Sequence, residues 1–208
     1  MRTAGVILAG GRSLRMGTPK AALPWGAATL LDHVCGLVAQ AVDGPLVVVR
    51  APGQELPELP AGVLVAEDSR AGGGPLVGIL AGLEALAGRA DAAYVSAVDM
   101  PGLRPAFVRR VLAGLDAATD VVLPEAHGFR HPLAAAYRTA LAAPLAAIVA
   151  AGGLKPAELY AVVRTRVVGP DWLLDDPVLR AADPALESLL NVNDPEAYAA
   201  AHSVAFPE

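Results

Sequence analysis

The residues with the most specific chemistry lie in a glycine-rich segment near the N-terminus, residues 8–20, with the sequence L-A-G-G-R-S-L-R-M-G-T-P-K. Gly10 and Gly11 follow a short apolar run, and because glycine lacks a Cβ, the amides of such a turn can approach a polyanion closely. Arg15 and Lys20 add positive charge, although the chain contains only two lysines. Cationic groups beside glycine amides suit phosphate oxygens. The segment therefore predicts a phosphate-binding loop, with an ordinary tight turn as the alternative.

Two common nucleotide-binding motifs do not fit this segment. A P-loop ends in Gly-Lys-Ser/Thr, and no such tripeptide follows Gly11. The glycine order G-x-G-x-x-G of dinucleotide-binding proteins is also missing from the sequence here. Neither a Walker site nor a dinucleotide site is therefore expected.

The elements that must position this segment are predicted from apolar runs without polar alternation, which are typical of strands covered on both faces. Such strands are expected at residues 4–9, 46–49, 63–66 and 94–98. Helices are predicted at about residues 29–41, 75–86 and 105–115. This alternation predicts an α/β fold with a mostly parallel sheet, whose ligands bind where the strands end.

One carboxylate is expected at the same edge of the sheet as the glycine-rich segment. Asp99 directly follows the predicted strand 94–98 and precedes Met100 and Pro101. Because the carboxyl ends of parallel strands share one edge, Asp99 is expected to converge on Lys20 although the two are remote in sequence. A carboxylate there can hold Mg²⁺ against a triphosphate, since magnesium prefers hard oxygen ligands. The alternative is a helix-capping aspartate.

The chain resembles the nucleotidyltransferases that act on nucleoside triphosphates, and within them the molybdenum cofactor guanylyltransferases (MobA-like NTP transferases). Residues 8–20 match their signature L-A-G-G-x-S-x-R-M-G-x-x-K, and residues 99–101 match a metal-binding Asp-x-Pro. Residues 74–78 are similar to a Gly-Pro-Leu-x-Gly segment, and residues 190–198 to an N-x-N-x-P-E sequence before a terminal helix. The resemblance extends from Val6 to about Tyr198.

The resemblance implies a three-layer αβα fold with a Rossmann-like sheet of the GT-A-like nucleotidyltransferase type. It implies one domain, residues 1–208, in which about 1–100 bind the nucleotide and the remainder faces the acceptor. The implied reaction transfers GMP from GTP to molybdopterin, the pterin form of the molybdenum cofactor, and releases pyrophosphate with Mg²⁺ as cofactor. Arg15, Lys20 and Asp99 are the implied catalytic residues, and Asp99 is the implied metal ligand. Proteins that deliver and receive the molybdenum cofactor are implied as partners.

The same resemblance assigns a set of nucleotide-binding residues. They are Leu8, Ala9, Gly10, Gly11, Lys20, Arg50, Asp68, Gly78 and Asp99. Asp68 is the candidate for base recognition, because one carboxylate can accept both the N1–H and N2–H donors of guanine, and a turn cap is the alternative. Arg50 departs from the family, which commonly has asparagine at that point. Either Arg50 contacts a phosphate or ribose, or the contact is lost.

Four residues are assigned to the acceptor side. Arg130 and His131 are expected to meet the anionic pterin phosphate, with a solvated hairpin tip as the equal alternative. Asn191 and Asn193 lie two positions apart on an extended segment and are expected to face the same way. Their amides can donate to phosphate or coordinate through the metal shell.

Composition excludes several classes of function. A net charge of −5 and a pI of about 5.3 argue against nucleic-acid binding. Apolar windows fall short of the roughly 18 residues that a membrane span needs, so a cytoplasmic protein without membrane contact is expected. Cys35 is the only cysteine, so no internal disulfide can form.

Two functions remain as alternatives to GMP transfer. One is a cytidylyl- or sugar-phosphate nucleotidyltransferase, and the other is a nucleotide-binding module that makes no product.

Overall fold

An eight-stranded sheet forms the centre of the fold. The computed structural model describes residues 1–10, 18–69 and 73–207. Within those residues the strands are β1 (Thr3–Leu8), β2 (Pro24–Trp25), β3 (Ala28–Thr29), β4 (Leu46–Arg50), β5 (Leu64–Glu67), β6 (Ala92–Ala97), β7 (Val121–Ala126), β8 (Phe129–Arg130), β9 (Ala134–Arg138) and β10 (Thr165–Val168). The helices are α1 (Leu30–Ala39), α2 (Pro75–Ala85), α3 (Pro105–Ala113), α4 (Ala142–Ala150), α5 (Pro156–Tyr160), α6 (Pro170–Leu174), α7 (Pro177–Ala182) and α8 (Pro195–Ala205).

The sheet order is β10-β7-β9-β6-β1-β4-β5, with β8 paired to β7. Strands β6, β1, β4 and β5 are mutually parallel, and β7 and β10 form a second parallel pair. Strand β9 lies antiparallel between β6 and β7. The carboxyl ends of the four central strands therefore share one edge, as the sequence predicted. The β2–β3 hairpin is a separate two-stranded ribbon.

Helices cover both faces of the sheet, which confirms the predicted three-layer α/β fold. Ile7 of β1 lies in one apolar cluster together with buried residues of α1 and α3. Its neighbours Val6 and Leu8 lie in the other cluster, with buried residues of α2 and α4. Successive side chains of a strand point to opposite faces, so β1 contributes to both cores and is covered on both sides.

Helix α2 packs closely on β1 because two glycines lie on its inner face. A Cβ on Gly78 would lie 3.2 Å from Leu8, and one on Gly82 would lie 2.4 Å from Val6. These glycines are four residues apart and so share one face of the helix. Their absence of side chains lets α2 cover the end of β1, where the glycine-rich segment begins.

Side-chain caps and prolines set several helix starts. Thr29 accepts a hydrogen bond from the Asp32 amide at the start of α1, which ends close to its predicted end. Asp176 and Asp194 cap α7 and α8, and each is followed by a proline. The short helices α6 and α7 lie in the Asp- and Pro-rich stretch 170–186, whose sequence shows no clear apolar period. Among the described residues there is no helix with the length and apolarity to cross a membrane.

Candidate active site

Lys20 and Asp99 form an ion pair at the carboxyl edge of the sheet. The Lys20 Nζ lies 2.6 Å from the Asp99 Oδ2, and the two side chains are only 16% and 14% exposed. Lys20 begins a short 3-10 turn, Lys20–Ala22, and Asp99 follows β6. The end of β6 is fixed to β1 because the Val98 amide donates to the Leu8 carbonyl oxygen. The structure therefore brings together the acid and the ammonium that the sequence predicted to converge.

The segment before α8 adds two amide side chains to this pair. Lys20 Nζ also donates to Asn193 Oδ1 at 2.9 Å, and Asn191 Nδ2 donates to Asp99 Oδ1 at 2.7 Å. The amide of Val192, between the two asparagines, donates to the Asp99 main-chain carbonyl. Asn191 and Asn193 thus point to the same site, as their two-residue spacing predicted. Lys20 and Asn193 are 173 positions apart in the chain.

The donor set of this site fits a magnesium ion that is shared with a substrate. Asp99 Oδ2 and Asn193 Oδ1 converge on one cation, the Lys20 ammonium, and both are hard oxygen donors. In the described part of the chain, no group of three or more His, Cys, Asp or Glu residues is placed to hold a metal by itself. Magnesium is usually bound through one or two carboxylates together with substrate phosphates. The site therefore suits Mg²⁺ with a triphosphate better than Mg²⁺ alone.

The first residues of the glycine-rich segment, Leu8 to Gly10, make packing and hydrogen-bond contacts within the fold. Leu8 is buried beneath α2, and the amides of Ala9 and Gly10 both donate to the Val49 carbonyl oxygen, at 2.8 and 3.2 Å. The Gly10 amide thus has a main-chain partner on β4 in this structure, and its predicted contact with a polyanion stays a prediction. A Cβ on Gly10 would lie 3.0 Å from the Ala51 nitrogen, so the glycine permits close approach of the chain.

The other predicted residues of this segment, Gly11 and Arg15, lie outside the described residues. Gln54, which was not predicted from the sequence, links the ends of β1 and β4 through its side chain. Its Oε1 accepts from the Ala51 amide at 2.9 Å, and its Nε2 donates to the Ala9 carbonyl at 3.0 Å. Gln54 lies in an irregular connection without periodicity, so no sequence signal marks it.

Arg50 and Asp68 lie side by side at the ends of β4 and β5. The Asp68 amide donates to the Arg50 carbonyl oxygen at 2.8 Å. The Arg50 guanidinium forms an ion pair with Glu67 at 3.0 Å and donates to the Gln54 carbonyl oxygen. Arg50 therefore has protein partners where the family commonly has asparagine. Gly78 is buried against Leu8, so packing accounts for this glycine without a ligand.

The four predicted acceptor residues line one pocket of about 430 Å³. This pocket begins beside Met100, directly after Asp99, and reaches the β7–β8 hairpin. Arg130 donates to Glu125 at 2.8 Å, and both side chains are exposed. The His131 Nε2 lies 3.1 Å from the Ala126 carbonyl oxygen. Asn191 and Asn193 therefore border both the ion pair and this pocket.

Two apolar residues of the pocket were not identified from the sequence. Phe129 is 71% exposed and Leu190 is 52% exposed, and both line the pocket. Large apolar side chains that are exposed together at a cavity often mark a ligand site. Phe129 follows the two-residue turn His127-Gly128, where both residues have positive φ. The sequence signal that could have identified Phe129 is its position in a predicted hairpin directly before Arg130, since the chain has only three phenylalanines.

Three buried groups, Cys35, Tyr137 and Tyr160, have pKa values shifted upward and do not provide a base. Burial raises the pKa of the Cys35 thiol to about 12, with a smaller contribution from Asp32. Burial likewise raises the pKa of Tyr160 to about 12, and that of Tyr137, whose hydroxyl is 3.0 Å away, well above its usual value. These groups are neutral at pH 7. They act as packing and hydrogen-bonding groups rather than nucleophiles.

Comparisons with known proteins agree with the geometry. The MobA-like NTP transferase domain matches residues 5–166. The chain is 45% identical, over 156 residues, to a probable molybdenum cofactor guanylyltransferase of Mycobacterium avium, covering 73% of this chain and 77% of that one. A probable molybdenum cofactor guanylyltransferase of Mycobacterium marinum is also 45% identical, over 160 residues, covering 75% and 78%.

Two solved structures are similar in fold. The molybdopterin-guanine dinucleotide biosynthesis protein A of Archaeoglobus fulgidus has a TM-score of 0.75 at 21% identity, covering 97% of both chains. The 2-C-methyl-D-erythritol 4-phosphate cytidylyltransferase of Thermus thermophilus has a TM-score of 0.68 at 21% identity, covering 99% of both. At this identity the two structures show a shared fold only. The domain match and the curated relatives show that the chain belongs to the MobA-like NTP transferase family.

Proposed function

We propose that the protein transfers GMP from GTP to molybdopterin and releases pyrophosphate. The observation that carries this proposal is the contact of Lys20, Asp99 and Asn193 at the carboxyl edge of the sheet. An ammonium, a carboxylate and an amide in one partly buried site suit a metal-bound triphosphate. The names of the curated relatives supply the acceptor and the base.

The reaction needs no protein base. An anionic oxygen of the terminal acceptor phosphate attacks the α-phosphorus of GTP, the bond from that phosphorus to the bridging oxygen breaks, and pyrophosphate leaves. Because the nucleophile is already ionised, catalysis consists of alignment and of neutralising charge. This is consistent with the buried, neutral state of Tyr137, Tyr160 and Cys35.

The residues of the ion pair have separate tasks in this proposal. Lys20 neutralises the phosphates, and Asp99 with Asn193 holds the magnesium ion. When bound, Mg²⁺ supplies positive charge at the α-phosphate and at the leaving pyrophosphate. Asn191 keeps the Asp99 carboxylate oriented through its hydrogen bond to Oδ1. Arg15 retains its predicted role in charge neutralisation.

The remaining nucleotide contacts come from the first hundred residues. Asp68 at the end of β5 is proposed to read the guanine edge, and Arg50 beside it to contact the ribose or a phosphate. Leu8, Ala9 and Gly10 contribute the main chain that leads into the glycine-rich segment. The rest of the single domain then serves the acceptor.

The acceptor is proposed to occupy the pocket of about 430 Å³. Its flat pterin lies against Phe129 and Leu190, while Arg130 and His131 at the same rim attract its anionic groups. Because Asn191 and Asn193 line this pocket and also contact the ion pair, an acceptor phosphate there lies next to the triphosphate.

The product of the reaction tests this proposal. Purified protein is incubated with molybdopterin, Mg²⁺ and each nucleoside triphosphate in turn, and the product is identified by its mass. We expect the guanine dinucleotide form with GTP and pyrophosphate release that requires the acceptor. Preferential consumption of CTP or UTP identifies a nucleotidyltransferase of another specificity. Binding of GTP without any product identifies a non-catalytic module.

Lys20→Ala provides a second test of the site. Loss of one electrostatic stabiliser of a transition state costs on the order of 10²-fold or more in rate. Lys155, the only other lysine, is the matched control, and Lys155→Ala is expected to leave the rate unchanged. GMP transfer by the Lys20 variant within a few fold of wild type would remove Lys20 from the mechanism.

A further inference from the structure

The Lys20 ammonium occupies the place where a metal ion would have to bind. It lies 2.6 Å from Asp99 Oδ2 and 2.9 Å from Asn193 Oδ1, the same two oxygens that suit magnesium. A magnesium ion on Asp99 Oδ2 would lie about 2.1 Å from that oxygen. Two cations on one pair of oxygens would lie within a few ångströms of each other and would repel, because Lys20 and Asp99 are partly shielded from water. The ammonium and the metal therefore exclude each other.

We propose that Lys20 closes the metal site in the nucleotide-free protein, and that a triphosphate opens it by drawing the ammonium to its phosphates. This inference rests on the proposed function, because it assumes that Asp99 holds the metal. It adds an order to the binding events: the metal binds tightly only together with the nucleotide. Nucleotide and metal then bind with positive coupling, and each raises the affinity for the other.

The charges of the site support this exchange. Asp99 and Lys20 neutralise each other in a partly buried position, so this ion pair by itself offers a free dication no net negative charge. A triphosphate brings several negative charges, which can hold the ammonium and the metal together. When the ammonium moves to the phosphates, the metal replaces it on Asp99. Neither the carboxylate nor the ammonium is left without an opposite charge at any stage.

The local structure allows the lysine side chain to move while its backbone stays in place. The turn Lys20–Ala22 is closed by hydrogen bonds from the Ala22 amide to Pro19 and from the Leu23 amide to Lys20. Ala21 is buried in the core and fixes the turn. The lysine has a flexible four-carbon stem, so its ammonium can change partners without a change of fold. The carboxylate is held from the other side by Asn191.

Manganese binding to the nucleotide-free protein tests the inference without relying on catalysis. Mn²⁺ replaces Mg²⁺ as the probe, and the free ion is measured by electron paramagnetic resonance. We expect Lys20→Met to bind Mn²⁺ about tenfold or more tightly than wild type, in the range of typical coupling between two sites. Lys155→Met is the matched control and is expected to bind Mn²⁺ as wild type does. Adding Asp99→Asn to the Lys20 variant is expected to abolish the gain.

The outcomes separate this inference from the proposed function. Equal Mn²⁺ binding by wild type and the Lys20 variant, at any affinity, overturns the inference. A gain that survives the Asp99→Asn change also overturns it, because the metal then binds elsewhere. The product assay with wild-type protein reports on the proposed function independently of either result. Lys20→Gln, which keeps a polar side chain, repeats the measurement if the methionine variant does not fold.

Discussion

Replacement of Phe129 by alanine tests whether the acceptor binds in the pocket. The expected loss of affinity can be calculated from the exposed area of the Phe129 ring. An aromatic side chain buries about 200 Å² when fully covered. Phe129 is 71% exposed. A flat ligand covers one of the two ring faces, which removes about 70 Å² from water. At about 25 cal/mol per Å², this contact contributes about 1.8 kcal/mol, or about 20-fold in affinity.

The quantities to measure are the KM and the dissociation constant for molybdopterin, and the KM for GTP is measured in parallel. Phe129→Ala is expected to raise the acceptor values about 20-fold and to leave the GTP value unchanged. Phe129→Tyr, which keeps the ring face, is expected to restore binding. Val162, which is 66% exposed and does not line the pocket, supplies the control variant Val162→Ala. Acceptor values for Phe129→Ala within twofold of wild type would refute the assignment of the pterin to this pocket.

Three further predictions concern stability and reactivity. Gly82→Ala is expected to be at least about 1 kcal/mol less stable in urea than Gly36→Ala, because its Cβ meets β1 at 2.4 Å whereas nothing lies within 4 Å at Gly36. Cys35 is expected to react with iodoacetamide at pH 8 only as fast as the protein unfolds, since burial raises its pKa to about 12; rapid alkylation of folded protein contradicts this. Hydrogen bonds from Arg164 lower the pKa of Asp120. This stabilisation exists above the unfolded pKa and is lost as pH falls through the lowered folded pKa. Arg164→Gln is therefore expected to lower the free energy of urea unfolding slightly at pH 7, and this difference from wild type is expected to shrink as acid protonates Asp120.

The convergence of Lys20 and Asp99 was predictable because it follows from sheet topology. Asp99 comes two residues after one strand with a continuous apolar run, and Lys20 ends the glycine-rich segment that leaves another. Runs of that kind are typical of the parallel strands of an α/β sheet, whose carboxyl ends share one edge. In the structure β1 and β6 pair in parallel, with Leu8 opposite Ala97. The carboxyl ends of β1 and β6 are therefore adjacent, although many residues separate the two strands in the sequence.

The features that were not predicted depend on contacts that no local pattern encodes. Gln54 joins β1 to β4 from an irregular connection, where neither period nor spacing marks it. Helix α7 has no predictive pattern for another reason. Asp176 and Pro177 form the same cap and first turn as Asp194 and Pro195, but α7 is only six residues long and shows no apolar period. Short helices are fixed by packing more than by periodicity.

The arrangement of the site depends on an aromatic contact that joins the two ends of the chain. The ring of Trp25, in the hairpin directly after the Lys20 turn, lies 6.0 Å from that of Tyr198 and 5.8 Å from that of Phe206, both from the α8 region. The Tyr198 hydroxyl also donates to the Pro24 carbonyl oxygen. Helix α8 begins two residues after Asn193 and has no fully buried residue. Since weakly buried elements open locally before the core, separation of α8 from Trp25 would remove Asn193 from Lys20 while the sheet stayed folded. The contact at the centre of the site is therefore less stable than the sheet edge on which it lies.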